Sequence, residues 1–401
     1  MPKLRFTNSN GDMYETSDEL VIADVFDKVK TTNKHGVNKN VITNSAEFGL
    51  IPQRDFFDKD IAVDGNTKKY TVIEKGDFVY NPRKSTTAPY GPFNCYNLEE
   101  PGIVSPLYSC LKPKDSSLTP YLLHYFSSPA WYSYIYHNGN QGGARHDRVG
   151  MTEDLLMGIP IMLPCEEERE KITDFLSLYD QRILVQRKKL DALENRRKGL
   201  LQQVFTQEIR FAADDSSDFE DWVSCTMDNF FTERKSKAKG GEELLSVTIA
   251  NGVIRQADSD KRDASSEDKS NYKQVMKGDI AYNTMRMWQG AEGVSQWDGI
   301  VSPAYTVIIP KANVNPEFFM LLFKTWEALK QFTIYSQGLS SDNWNLKFEK
   351  FSELEFDVPC ADEQAKIVEF FKLLDQQIQI EKDKLEAIKN VKKGLLQQMF
   401  V

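Results

Sequence analysis

The side chains with the widest chemical reach in this 401-residue chain are planar and basic groups gathered on turns. In the first half these are Lys68, Lys69, Asn81, Arg83 and Lys84, then a glycine-rich turn with Gln141, Arg145, His146 and Arg148. In the second half they are Arg234, Lys235, Lys237 and Lys239, then Asn283, Arg286, Trp288 and Gln289, and the loop from Ser336 through Asn343, Trp344 and Asn345. Asn, Gln and Arg carry paired donors and acceptors that match base edges, while Lys and Arg hold phosphates. Any one such cluster is ordinarily plain exposed surface. Their recurrence at matched places in both halves is what lifts them above that. Tyr80, Tyr282, Trp288 and Trp344 read as framework before stacking platforms, and His146 as a polar loop residue before a ligand.

Other chemistries lack their residues. There is no G-x-x-x-x-G-K-[ST] phosphate loop, no G-x-G-x-x-G after a strand and no G-x-S-x-G elbow. Asn81-Pro82-Arg83 only partly resembles the Asn-Pro-Pro-aromatic motif of an amino-directed DNA methyltransferase, and no deaminase signature occurs. The carboxylates form no spaced nuclease-type cluster. Cys95, Cys110, Cys165, Cys225 and Cys360 show no CxxC pairing, and with four histidines a zinc site is not expected. Sparse, odd thiols fit a reducing cytoplasm. No apolar run approaches a membrane span, and the N-terminal residues lack a signal core, so a soluble intracellular protein is expected. The formal charge of −9 argues against strong independent nucleic-acid binding.

What must position these side chains is a repeated scaffold. Residues 164–205 recur as 359–400 with about half the positions identical, both ending in Lys-Gly-Leu-Leu-Gln-Gln-x-Phe. Ile172, Leu176, Tyr179, Ile183, Leu190, Leu193, Leu200 and Val204 follow four-three steps. Ile367, Phe371, Leu374, Ile378, Leu385, Ile388, Leu395 and Met399 repeat them, giving two heptad seams. Both seams break at the same places, Gln186 with Glu381 and Arg197 with Lys392. A helix of roughly 40 residues is about 60 Å long, too long for one domain core. The spacing therefore predicts two rods packed on each other. Taken alone, such rods equally fit a generic coiled coil for self-association or scaffolding.

The segments between the rods repeat as well. Ile209-Arg210-Phe211 echoes Leu4-Arg5-Phe6, Lys277 to Asn283 answers Lys75 to Asn81, and Val301 to Tyr305 answers Val104 to Tyr108. Pro316 to Phe323 answers Pro120 to Phe126. A short helix is expected at Leu20 to Val29, strands near Tyr70–Ile73, Phe78–Tyr80 and Ile103–Val104, and a helical stretch from Pro120 to Ile135. The expected fold is α+β: two globular domains (1–163 and 207–358) joined by two long helices (164–206 and 359–401). These helices form an antiparallel coiled coil with pseudo-two-fold symmetry. Kept framework with diverged loops suggests one architecture presenting two specificities.

These phrases resemble the specificity (S) subunits of type I restriction-modification systems. The second globular unit carries the resemblance most fully, through Gly278 to Gly290 and Gly299 to Tyr305. The first unit matches more loosely at Gly76 to Arg83 and Gly102 to Tyr108, without the Trp-Gln-Gly phrase, so Arg286, Trp288 and Gln289 have no counterparts there. The resemblance implies a non-catalytic subunit whose two target recognition domains each read half of a bipartite, asymmetric double-stranded DNA site. It implies that the rods set the spacer and dock two methyltransferase (M) subunits, with restriction (R) subunits completing the enzyme. S-adenosylmethionine, ATP and magnesium would belong to those partners, none to this chain. The alternatives are a coiled-coil adaptor that binds only proteins, and a self-contained methyltransferase or nuclease.

Overall fold

A computed structural model describes residues 2–15, 17–56, 67–139, 147–259, 263, 265–338 and 343–400. It divides into two compact units, Met1–Arg187 with Asp383–Val401, and Lys188–Lys382. The first globular head runs β1 (Asp18–Val21), α1 (Ile22–Val25), β2 (Phe26–Lys28), β3 (Ile42–Ser45), β4 (Gly49–Pro52) and α2 (Gln53–Phe56). It continues with β5 (Thr71–Ile73), β6 (Phe78–Tyr80), β7 (Phe93–Cys95), β8 (Gly102–Val104) and β9 (Ser109–Pro113). Then come α3 (Thr119–Ser127), α4 (Tyr132–Asn138), α5 (Glu153–Met157), β10 (Pro160–Leu163) and the long helix α6 (Glu166–Phe205).

The second head restarts with β11 (Val223–Thr226), β12 (Phe231–Glu233), β13 (Leu245–Thr248), β14 (Gly252–Arg255) and β15 (Lys273–Val275). It goes on through β16 (Ile280–Asn283), β17 (Glu292–Val294), β18 (Gly299–Val301) and β19 (Tyr305–Pro310). Helices α7 (Pro316–Leu322), α8 (Trp326–Tyr335) and α9 (Phe348–Ser352) precede β20 (Glu355–Val358) and the second long helix, α10 (Ala361–Met399).

The heads share one topology. Each has a four-stranded antiparallel sheet, β2-β9-β6-β7 in one and β12-β19-β16-β17 in the other. The remaining strands pair in the same way: β1 with β10 and β11 with β20, β3 with β4 and β13 with β14, β5 with β8 and β15 with β18. The inner strand β6 is buried on both faces. Phe78 and Tyr80 point into one apolar cluster with Phe26, Phe93, Phe126 and Trp131, and Val79 into another with Ile42, Ile73 and Val104. Alternate residues of a strand face opposite sides, so a strand between two cores must be apolar throughout. Ile280 and Tyr282 against Ala281 repeat the arrangement.

Two expected elements differ. The helix expected at Leu20 to Val29 is a single turn between two strands. Leu20 pairs with Ile161 and Phe26 with Pro113, so ladder bonds and β-branched or aromatic side chains override a helical spacing this short. The stretch from Pro120 to Ile135 splits into α3 and α4 around Ser128-Pro129, where proline bars an unbroken helix.

Within each unit, halves of the long helices run antiparallel. In the first, Glu168 and Ile172 border one cavity with Met399 and Phe400, while Asp180 pairs with Lys392 two turns further along. In the second, Lys189 pairs with Glu381 at 3.0 Å, and Arg197 with Asp375 at 2.5 Å. The polar breaks are thus used: Lys392 and Arg197 occupy equivalent positions and take equivalent aspartates. Of the seam residues, Ile172, Leu176, Val204, Ile367, Phe371, Ile378, Leu385 and Met399 are buried. Tyr179, Ile183, Leu190, Leu193, Leu200, Leu374, Ile388 and Leu395 are half-buried. Towards the helix ends Leu201 and Leu396 are more deeply buried than Leu200 and Leu395, because there the heads cover a second stripe.

Candidate nucleic-acid interface

In the first head β6 ends in a turn braced by Asn81. Its Nδ2 donates to the Asn44 carbonyl at 3.1 Å, and its Oδ1 accepts from the Arg83 backbone N–H at 3.0 Å. Asn81 is 8% exposed, so this amide shapes the turn from within. The chain after the glycine-rich turn is stitched onto the same place. Lys84 N–H donates to Asp147 and Val149 N–H to Pro82, at 2.8 and 2.9 Å, and Arg83 bridges to Arg148. The result is a hollow of about 250 Å³ lined by Thr43, Ser45, Asn81, Arg83, Ser105 and Arg148. The Arg148 Nε is buried there and has no acceptor among the described residues. A guanidinium N–H left unsatisfied in a polar hollow is costly unless a ligand oxygen reaches it. Lys68 and Lys69 are exposed on the turn before β5 and do not line the hollow. Gln141, Arg145 and His146 lie outside the described residues.

In the second head Asn283 plays the part of Asn81. Its Oδ1 accepts from Met285 N–H at 3.0 Å. Its own N–H donates to Ala291 at 2.9 Å, as that of Asn81 does to Pro92. Lys84 therefore stands where Arg286 stands, a counterpart hidden by the unequal lengths of the two turns. Both turns close on a left-handed glycine, Gly91 at φ +89° and Gly290 at φ +77°. At Gly91 a Cβ would also meet the Asn81 carbonyl at 2.0 Å, so only glycine fits.

Arg286 is exposed, while Trp288 and Gln289 are half-buried. The Trp288 indole donates to the Met285 carbonyl at 3.1 Å and meets Trp344 edge-on at 5.2 Å, so both tryptophans brace the turn. The loop after α8 is fastened beside it by Leu346 N–H donating to Thr284 at 2.9 Å and by paired bonds between Gln337 and Asn345. Ser336 caps α8 through a 2.6 Å bond to Phe332, and Asn343 is exposed. Lys235 and Lys237 are exposed, near Glu233 at 3.8 Å and bonded to Asn271 at 2.9 Å respectively. Arg234 is committed elsewhere, forking onto buried Asp279 at 2.5 and 2.9 Å.

Beneath the second turn lies a pair that residue type and spacing did not signal. Lys324 donates to the Gly290 carbonyl at 2.5 Å and stands 2.7 Å from Glu292, whose side chain is fully buried. Burial pushes the Glu292 carboxyl above its usual range, and Lys324 pulls the other way. An acid inside a strand and a lysine after a helix look unremarkable apart; only the fold joins them.

Residues 224–390 match the family model of the type I restriction modification DNA specificity domain. Over that stretch the chain is similar to the type I restriction-modification specificity family. A curated relative, the type I restriction enzyme HindI specificity subunit of Haemophilus influenzae, is 29% identical over 133 residues. That stretch is 32% of this chain and spans 29% of the relative. A solved chain from work on complex assembly and conformational transition of the type I R-M system superposes with a TM-score of 0.56 at 11% identity. It covers 96% of this chain and 97% of its own. The type I S subunit from M. genitalium gives a TM-score of 0.46 at 15% identity, covering 100% and 99%. The fold is thus shared with a chain of a type I R-M system. No helix of the described residues is long and apolar enough to cross a membrane.

Proposed function

We propose that this specificity subunit gives a type I restriction-modification complex its DNA sequence, each head reading one half of a bipartite, asymmetric site. What supports this is one scaffold presenting two different turns: Asn81-Pro82-Arg83-Lys84 with Arg148 in one head, and Asn283 through Gln289 with Trp344 in the other. In both, an asparagine locked to backbone fixes the turn, leaving Arg83, Lys84, Arg286 and Gln289 to vary what is read. Arginine forks suit guanine and phosphate, and glutamine suits adenine. The long helices, about 60 Å each, set the unread spacer and dock two methyltransferase subunits, with restriction subunits added where the system has them. In this scheme the chain is non-catalytic and works in the cytoplasm. Adenine methylation from S-adenosylmethionine, and ATP- and magnesium-dependent cleavage, belong to the partners. Since the chain is net acidic, much of the phosphate neutralisation also falls to them.

The test is methylation mapping in cells that express the chain with its methyltransferase. Arg286→Ala is expected to relax one half-word and Arg148→Ala the other, each base contact being worth roughly 1–3 kcal/mol. Equal loss at both halves from either variant would count against two independent readers, and unchanged methylation in both would favour the protein-only adaptor.

A further inference from the structure

Inside the first unit, where the head meets the start of α6 and the end of α10, lies a cavity of about 210 Å³. Tyr121, Tyr125, Met399 and Phe400 wall it, and Arg5, Ser17 and Glu168 form its polar end. The internal repeat shows what such a place holds. Arg5 forks onto Glu168 at 2.6 and 3.0 Å and donates to the Glu15 carbonyl at 2.8 Å. Arg210 forks onto Glu363 at 2.9 and 3.3 Å and donates to the Glu220 carbonyl at 2.7 Å. The residue immediately before β11 is Trp222; immediately before β1 it is Ser17.

In the second unit the Trp222 ring packs on Phe205 and Phe318, with centroids 5.9 and 6.4 Å away, and its Nε1 donates to Glu363 Oε2 at 3.0 Å. Phe400, Tyr121 and Glu168 hold the corresponding places in the first unit. Tyr121 and Tyr125 direct their hydroxyls onto the carbonyls of Met162 and Pro160, at 2.6 Å each. A hydroxymethyl thus stands where the repeat has an indole, facing a carboxylate that is 1% exposed. The corresponding hollow of the second unit, lined by Phe205, Leu322, Glu355 and Asp357, does not reach Arg210 or Glu363.

We propose that the first-unit cavity is a binding site for a small planar bicyclic aromatic carrying one N–H, an indole. The ring lies against Tyr121 and Phe400, and its N–H donates to Glu168. An apolar protein cavity of about 150 Å³ is enough to take up benzene, so size is no obstacle. Once bound, the ring ties the strand opening the first head to both long helices, as Trp222 does in the second. This site is independent of how either head contacts DNA.

Indole titrated into the full chain, followed by calorimetry and thermal unfolding, is expected to saturate one site and raise the unfolding midpoint. Benzofuran, of the same shape without the N–H, should bind roughly tenfold more weakly. Ser17→Trp fills the cavity from within and should bind no indole. A crystal of the unaltered chain soaked in indole should show the ring between Tyr121 and Phe400, which keeps the test intact if Ser17→Trp does not fold. Absence of saturable binding, undiminished binding by a folded Ser17→Trp chain, equal affinity for benzofuran, or a ring seated elsewhere would each overturn the proposal.

Discussion

Replacing Lys324 by methionine should unfasten the turn from Asn283 to Ala291 of the second head from beneath. The ammonium is 2.7 Å from Glu292 and 2.5 Å from the carbonyl of Gly290. Without it a fully buried carboxylate has no partner among the described residues, and the left-handed glycine loses its tether. Removing one member of a buried ion pair costs roughly 3–5 kcal/mol. Lys324 is itself 37% exposed, so water screens part of the pair and a loss of about 3 kcal/mol is expected at neutral pH. The loss depends on pH with a definite sign. A carboxyl whose folded pKa lies above its unfolded value favours the protonated folded state. Its contribution is therefore fully present below the unfolded pKa, near 4.5, and is lost as pH rises through the folded one. Lys324→Met raises the folded value further, so the deficit should be smaller at pH 5 than at pH 7.5. Adding Glu292→Gln removes the buried charge, and the double variant should regain at least about 2 kcal/mol over Lys324→Met alone. Urea unfolding at both pH values measures the energies. On the proposed reading, methylation mapping should show weakening only of the half-word assigned to the second head. A Lys324→Met chain within 1 kcal/mol of the parent at pH 7.5, a deficit that does not change with pH, or equal weakening of both half-words would refute the reasoning.

Two further predictions compare the repeats. Asp279 is forked by Arg234, but its counterpart Asp77 is 2% exposed with an unpartnered Oδ1 among the described residues, and burial raises its pKa. Val29 holds the place of Arg234, since their N–H groups donate to the equivalent carbonyls of Cys110 and Val307, both at 2.9 Å. Val29→Arg should therefore stabilise the chain by about 1 kcal/mol at pH 7 and by less as pH falls towards 4, because burial already favours the neutral Asp77 carboxyl; urea unfolding at the two values checks it. His124 is buried beside Asp180, Ser177 and Lys392, and burial with the nearby Lys392 charge lowers its pKa to about 4. A histidine with a lowered folded pKa contributes stability above its unfolded value of 6.5 that is lost as pH falls towards 4. His124→Leu, which copies Leu321 of the second unit, should leave pH 7 stability within about 1 kcal/mol and move acid unfolding to lower pH. Unchanged acid unfolding would count against it.

How far the amino-acid sequence speaks for this fold depends on what each position has to do. The long helices were legible because one seam dictates residue type every three or four positions, and both copies obey it. The heads were legible at Gly76-Asp77 and Gly278-Asp279, where a left-handed glycine and a buried aspartate open the inner strand, and few residues substitute for either. Legibility failed where the copies solve one problem with unlike residues. Ser17 answers Trp222, Val29 answers Arg234 and His124 answers Leu321, and no similarity of type connects these pairs. It failed again in the turns after the inner strands, where Asn81 to Pro92 is longer than Asn283 to Ala291 and so conceals that Lys84 answers Arg286. Chemical type misleads most at the asparagines. A planar amide suited to an adenine edge is equally suited to a backbone carbonyl and N–H, and at Asn81 the backbone claims both ends while at Asn283 it claims the oxygen. Which partner an amide takes is decided by what the fold brings within 3 Å of it. Polar residues that brace a turn and those that face solvent from it can therefore be of the same type, and burial separates them: Asn81 inside, Arg83 and Arg286 outside.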